Sequence, residues 1–404
     1  MSKNKKVLMV MPHMVGGGAE RVAAQIMNKL NERGYDTRFL LTSAKKGEVV
    51  RSDLNEKTEL ILLTEKIKAE SAGQKLTHLP ARAYSTIFGK LYEKQGKYVP
   101  ASVGKATIEW QYHREISWLR NYMQQNHDMT VIVFLQPSIP IVMLAVRDLP
   151  NKVIISERMD PNRLMKKRYG KKFVEKYYKR ADSIVFQTEA AKKMYPEVLL
   201  GKSGVVSNPL KDNLPQPYHG EREKCISTFC RIHPDKDLIT LVKAFSILLQ
   251  THSEYKLKII GNATNETEEL YKHKLLEYVK DNGLEDCVVF MPFNSNVHQE
   301  ILHDSVYVNS SVSEGFSNAM LEAMAIGMPV VCTDCPIGGA KAAITDGENG
   351  LLVPIKDVDA LAQAMICVIE DKALAEKLSN NASKLRNKIT LDEITNKWEA
   401  LLGD

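Results

Sequence analysis

Two carboxylates eight positions apart, Glu314 and Glu322, bracket the start of an apolar stretch that reads Ser-Ser-Val-Ser-Glu-Gly-Phe-Ser-Asn-Ala-Met-Leu-Glu from Ser310. Glu314-Gly315 reads as a turn, Ser317 or Asn318 as a helix cap, Gly327 as the stop, and Pro329 bars continuation. The amides of Phe316, Ser317 and Asn318 are then expected to point out of the helix start, where unpaired N–H groups attract phosphate. Each carboxylate can accept hydrogen bonds from a separate hydroxyl group. A phosphate flanked by two polyols is a nucleotide sugar. A capped helix with a surface glutamate is also ordinary structure, so residue types alone leave both readings open.

Arg231-Ile-His-Pro-Asp-Lys236 offers a planar guanidinium fork and a compact ammonium, and taken alone it reads as a surface pair after a strand. The Gly16-Gly17-Gly18 loop follows a strand and precedes a helix, yet it is not GxGxxG and no acidic residue ends the second strand, which disfavours a dehydrogenase. Asp235-Lys-Asp237 and Asp357-Val-Asp359 have the DxD form of metal-dependent transferases, but the first overlaps the cation motif, and no essential metal is expected. Cys332 and Cys335 form a CxxC without a partner pair and read as core thiols.

The elements that must position these residues are legible as short apolar runs alternating with helical patterns. Strands are expected at 5–12, 37–42, 58–63, 130–136, 152–157 and 183–189, and again at 225–232, 257–261, 288–293, 306–311, 329–334 and 351–354. A Pro- and Asn-rich break at 207–223 separates two α/β units, as a length of 404 residues also suggests. The crevice at the carboxyl ends of such strands is the default ligand site. A composition of 44% hydrophobic and 26% charged residues excludes collagen-like and disordered chains. The uncharged run Met129–Val146 contains two prolines and reads as a strand followed by a helix, not a membrane span. The cysteine usage and the chain start are those of a cytoplasmic protein with reduced thiols.

The net charge of +6 hides a polarity: 36 Lys and Arg against 20 Asp and Glu give +16 in residues 1–206, leaving 19 against 29, or −10, for 207–404. Cations are dense in 163–180, where Met165, Tyr169, Phe173 and Tyr177 recur on one helical face, and aromatic and basic residues interleave in 84–122. Both segments fit amphipathic core helices with solvated charges, and both fit docking on an anionic membrane surface. Nucleic acid is not an expected partner, because no recognised binding motif accompanies the cations.

The Glu314-to-Glu322 segment resembles the EX7E signature of glycosyltransferase family 4, retaining enzymes of the GT-B fold. Further similarity lies at Gly16-Gly-Gly-Ala-Glu-Arg-Val22, Ser156-Glu-Arg-Met-Asp-Pro161, Asn208-Pro209, Arg231–Lys236 and from Asp334 through Gly350-Leu-Leu-Val-Pro354, so it spans the chain. The resemblance implies two doubly wound Rossmann-like domains facing each other across a cleft: an acceptor domain at 1–206, a nucleotide-sugar domain at 207–385, and a C-terminal helix at 386–404 packing back on the first. It implies Arg231, Lys236 and Glu314 as catalytic residues. Gly17, Gly18, Phe316, Ser317, Asn318 and Glu322 are implied as donor contacts, with Glu322 on the ribose. The acceptor-side candidates are His13, Glu157 and Arg158, although His13 also reads as a polar loop histidine.

What the resemblance implies for activity is transfer of a hexose or N-acetylhexosamine from a nucleotide sugar, with uridine favoured, to a lipid-linked surface polysaccharide. The protein would lie on the inner face of the membrane through its basic first domain. A nucleotide-sugar epimerase of the same fold and a non-catalytic sugar-binding relative are the alternatives. The sequence departs from the family at Arg158, where many relatives carry His, and at Cys230, where many carry Gly.

Overall fold

Runs such as Val7-Leu8-Met9-Val10-Met11, apolar without alternation, suit strands covered on both faces, and all five residues are buried. The computed structural model describes residues 5–15, 17–44, 51–71, 109, 111–165 and 170–403. Its first sheet comprises β1 (Lys6–Met11), β2 (Asp36–Leu41), β3 (Glu59–Leu62), β4 (Thr130–Phe134), β5 (Val153–Ser156), β6 (Ser183–Phe186) and β7 (Ser203–Val205), in the order β3-β2-β1-β4-β5-β6-β7. Pairing from β3 through β6 is parallel. The expected strands are present with trimmed or shifted ends, and β7 is an addition. At three residues it is too short to carry an apolar pattern.

The second sheet comprises β8 (Glu223–Phe229), β9 (Lys256–Ile260), β10 (Val288–Met291), β11 (Asp304–Asn309), β12 (Val330–Thr333) and β13 (Leu351–Val353). Its order is β10-β9-β8-β11-β12-β13, all parallel. The pleat divides the core in two: Val306 and Val308 of β11 pack with Leu241, Phe245 and Leu361 on one face. Tyr307, between them, packs with Phe229, Met320 and Met324 on the other. Both sheets are therefore doubly wound, with the strand order reversing beside β1 in the first and beside β8 in the second.

The chain divides into one compact unit of Met1–Phe186, Tyr195–Gly204 and Thr395–Asp404 and another of Gln187–Met194 and Val205–Ile394. These limits differ from those read off the sequence. Residues 187–194 join the second unit because Thr188 Oγ1 donates to the Ile337 carbonyl at 2.9 Å and Gln187 Nε2 to Asn208 Oδ1 at 3.1 Å. The stretch after 385 stays with the second unit until Ile394, Arg386 donating to the Leu214 and Pro215 carbonyls. From Thr395 on it belongs to the first: Trp398 is fully buried and Glu399 pairs with Arg33.

In 163–180 the described residues form helices Pro161–Met165 and Gly170–Tyr177; Val174 and Tyr177 are buried while Lys171, Lys172, Lys179 and Arg180 are exposed. Of the apolar stripe, Tyr177 is buried and Met165 and Phe173 are half-buried, while Tyr169 lies outside the described residues. Of the aromatic-basic stretch 84–122, residues 84–108 and 110 lie outside the described residues. Farther along, Trp118 stacks on Tyr122 at 5.2 Å, and Arg38 donates to the Tyr122 hydroxyl at 2.6 Å. Among the described residues no helix is long and apolar enough to cross a membrane.

Candidate functional site

In the second unit the chain reverses between β8 and β11, the place where an open parallel sheet leaves a crevice at its carboxyl end. The segment after β8 brings Cys230 to Asp237, and the segment after β11 brings Ser310 to Asn318. The two are stitched together: Val312 N donates to the Asp235 carbonyl at 2.9 Å and Ser310 Oγ to the Lys236 carbonyl at 2.8 Å. Two glycines permit the crowding. A Cβ on Gly261 would lie 1.8 Å from the Cys230 carbonyl oxygen, and one on Gly339 would lie 1.6 Å from that of Gly315.

The result is an ion pair between Lys236 Nζ and Glu314 Oε2, both about one fifth exposed. Ser311 Oγ also donates to Glu314, at 3.3 Å. Burial works to lower the Lys236 ammonium pKa, but the adjoining Glu314 outweighs it and the net direction is upward, so the lysine stays charged. The helix that follows, Asn318–Ala325, is capped by Ser317, whose Oγ accepts the Met320 amide at 3.4 Å and a hydrogen bond from Asn309 Nδ2 at 3.1 Å. Asn208 Nδ2 donates to the Phe316 carbonyl at 3.2 Å and to Asn318 Oδ1 at 2.6 Å, fixing the approach to the helix. Gly327, at φ +78°, ends it.

Glu322 lies one turn into this helix and is buried, with His298 Nε2 2.8 Å from its Oε2 and the Phe229 ring edge-on to the imidazole at 5.3 Å. Arg231 is 57% exposed, and its Nη1 is 3.3 Å from Oε1 of the fully buried Glu268. One aspartate of each DxD form has local work: Asp237 Oδ2 accepts from Thr240 Oγ1 at 2.7 Å, and Asp357 caps a helix through the Ala360 amide at 2.9 Å. Among the described residues one trio has metal-ligand chemistry, Glu223, Cys225 and Asp304, at the amino ends of β8 and β11. There Lys258 Nζ already sits 2.6 Å from Asp304 Oδ1 and supplies the balancing charge. Cys332 and Cys335 are buried free thiols.

The first-unit candidates are engaged within that unit. Gly17 caps the helix Gly18–Glu32, and its amide donates to Glu20 Oε2 at 2.6 Å. Val15 N donates to the same oxygen at 2.8 Å, and His13 Nδ1 lies 2.7 Å from Glu20 Oε1. Glu157 is buried and accepts from the Tyr178 and Tyr195 hydroxyls at 2.5 and 2.9 Å and from the amides of Arg158 and Met159 at 3.1 Å. Burial raises its carboxyl above the usual range despite these donors. Arg158 donates from Nε to Ser156 Oγ at 2.8 Å and lies over the Phe134 and Trp398 rings at 4.7 and 5.8 Å. Burial brings its pKa down to about 9. These contacts give both residue types a task inside the first unit.

Glu20, Glu268 and His298 did not emerge from the sequence. The first two had a signal, a glutamate three residues after the N-cap Gly17 or Asn265. His298, on a five-residue helix far from Glu322 in the chain, had none.

Residues 211–385 match the family model described as glycosyl transferases group 1. An exopolysaccharide phosphotransferase of Streptomyces coelicolor is 29% identical over 227 residues, 55% of this chain and 23% of the relative. The N-acetylgalactosamine-N,N'-diacetylbacillosaminyl-diphospho-undecaprenol 4-alpha-N-acetylgalactosaminyltransferase of Campylobacter jejuni is 30% identical over 161 residues, 40% of this chain and 41% of that one. The chain thus matches less than half the length of either relative. A crystal structure of a TarM variant of S. aureus, in complex with fondaparinux, alpha-GlcNAc-glycerol and UDP, superposes with TM-score 0.75 at 15% identity, covering 99% of this chain and all of that one. At that identity the likeness concerns the fold, which is GT-B. The matched segment contains Arg231, Lys236, Glu314 and Glu322 together. The family to which the chain shows similarity is thus the glycosyl transferases group 1, over residues 211–385.

Proposed function

We propose that the protein is a retaining glycosyltransferase that moves a hexose or N-acetylhexosamine from a UDP-sugar to a growing, lipid-linked surface-polysaccharide acceptor. The observation that carries this reading is the Lys236–Glu314 ion pair beside the capped helix start at the switch point of the second sheet. In this reading the donor diphosphate lies at the helix start and takes Lys236 and Arg231 as counter-ions, which releases Glu314 to a sugar hydroxyl, while Glu322 receives the ribose. The bond from the anomeric carbon to the phosphate oxygen breaks as the acceptor oxygen bonds to the same face of that carbon. The acceptor proton passes to the departing phosphate oxygen, so no protein base is needed. The two cations stabilise the charge that grows on the leaving group.

The lipid-linked acceptor is supported by the diphospho-undecaprenol in the name of the Campylobacter relative and by the +16 charge of residues 1–206. Each cation near an anionic leaflet contributes about 1 kcal/mol of attraction, screened by salt. The test is incubation with a panel of nucleotide sugars, with and without lipid-diphosphate-linked glycans. The expected result is slow donor hydrolysis alone and transfer with retained anomeric configuration when the acceptor is added. Conversion of the free donor to an epimer, or transfer with inversion, overturns the proposal. Flotation on anionic vesicles tests the membrane part, with binding expected at low ionic strength and release by salt.

A further inference from the structure

Arg231 presents its guanidinium largely to solvent, yet one of its nitrogens is held from behind. Glu268 has no exposed side-chain surface, and its Oε1 lies 3.3 Å from Arg231 Nη1. Its other oxygen, Oε2, accepts from both the amide and the hydroxyl of Thr264 at 2.8 Å. Glu268 is the third residue of the helix Glu266–Asp281, capped by Asn265, whose Oδ1 accepts the Glu268 amide at 3.1 Å. The segments carrying the two side chains are clamped to each other: Cys230 N donates to the Ile260 carbonyl and Ile232 N to that of Asn262, each at 3.0 Å. The Cα of Gly261 lies against the Cys230 carbonyl at a spacing that excludes a Cβ. Carboxylate and guanidinium are thus set by backbone that cannot shift independently. Burial alone would raise the Glu268 carboxyl, but Thr264 and Arg231 hold it below the ordinary range, so it is ionised.

We propose that Glu268 is a positioning residue: its buried carboxylate anchors one edge of the Arg231 guanidinium, so that the remaining donors of the fork are directed at the donor diphosphate. The inference rests on the donor-site reading above. Two effects of the carboxylate oppose each other. Its charge repels a diphosphate. Its grip removes the rotamer freedom that a long, exposed arginine otherwise loses on binding, and it sets the plane of a five-donor fork that must match phosphate geometry. The second effect dominates in this reading, because Glu268 is fully buried while Arg231 is more than half exposed, so an anion arriving from solvent meets the guanidinium first.

Calorimetric titration of the full chain with UDP, GDP and ADP in parallel tests this, reading whichever nucleotide binds tightest. Glu268→Gln keeps the side-chain shape and can still accept from Thr264, so the helix start is preserved, but it no longer attracts Arg231. Arg231→Ala and Glu268→Gln are each expected to weaken binding about tenfold. The double variant is expected to bind no more weakly than Arg231→Ala alone, which a role confined to helix capping does not produce. Should Glu268→Gln fold poorly, Thr264→Val loosens the same carboxylate more gently, with an expected loss of about twofold. Equal or tighter binding by Glu268→Gln, or additive losses in the double variant, overturns the positioning role while leaving the donor site standing. Absence of binding by the wild type, or wild-type affinity in Arg231→Ala, removes the donor-site reading and this inference with it.

Discussion

Each unit places a carboxylate beside the reversal of its sheet, and the two use it in opposite ways. After β1, beside the reversal of the first sheet, Glu20 is turned back onto its own loop and takes the Val15 and Gly17 amides and the His13 ring; its side chain is 5% exposed. After β11, beside the reversal of the second, Glu314 faces the Lys236 ammonium and a serine hydroxyl and is 23% exposed. A buried carboxylate filled by main-chain donors fixes a loop and has no capacity left for a ligand. A partly exposed one paired with a flexible ammonium can exchange that partner for a sugar hydroxyl when a phosphate takes the cation. The same fold thus carries a glutamate as scaffold in one half and as a candidate reacting group in the other.

Removing the cations tests the chemical side of this contrast most severely. Lys236→Ala and Arg231→Ala are each expected to lower kcat for donor turnover by about 100-fold or more, as for other charge-stabilising donors. Unchanged turnover would leave the second-unit pair as surface charge and erase the distinction.

Glu20→Ala addresses the scaffold side. It strands three donors at once, and a loss of about 2–3 kcal/mol from the first unit is expected, read as a lower urea midpoint for that unit with nucleotide affinity unaltered. A variant as stable as wild type but blind to nucleotide would reverse the roles assigned to the two glutamates.

Glu322→Ala sharpens the assignment of the second carboxylate. UDP affinity is expected to fall about tenfold, or 1.4 kcal/mol, while the affinity for 2′,3′-dideoxy-UDP stays level. Equal losses for both nucleotides would assign Glu322 to the core with His298 instead of the ribose.

The smallest effect concerns the floor of the second-unit loop, where Cys335 Sγ donates to the Ser311 carbonyl at 2.9 Å. Burial pushes this thiol from an ordinary 9 up to about 11. Between those values the folded chain keeps a proton that the unfolded chain releases, so the thiol's contribution is full below pH 9 and is lost as the pH climbs toward 11. By pH 9.5 the loss relative to pH 8 should be about 0.8 kcal/mol, and Cys335→Ser should lack that part of the slope in pH-dependent denaturation. An identical slope in the variant would show that the thiol is not held protonated by this packing.

Much of the fold was legible because its strands are covered on both faces and so read as unbroken apolar runs: the run around Val7–Met11 needs no partner to be recognised. The short β7 and the transfer of 187–194 to the second unit were not legible, since one lacks a pattern and the other depends on where Thr188 finds an acceptor 149 positions away. In the site, the Ser317 cap, the Gly327 stop and the four charged residues followed from local spacing and family likeness. The surroundings of Glu157 and Arg158 were not legible: they lie among Tyr178, Tyr195, Phe134 and Trp398, partners supplied by distant parts of the chain.

By itself the sequence determined the residues with the right chemistry, the parallel sheets that carry them and the helix start at Ser317, because these depend on side-chain type and on neighbours a few positions apart. Only the tertiary structure decided which carboxylate meets which partner: Glu314 with Lys236, Glu268 with Arg231, Glu322 with the His298 ring and Glu20 with its own loop. The reason is that an ionised group's partner is set by distance in space and by local burial, and chain order fixes neither until adjacent strands and glycine contacts have brought the loops together.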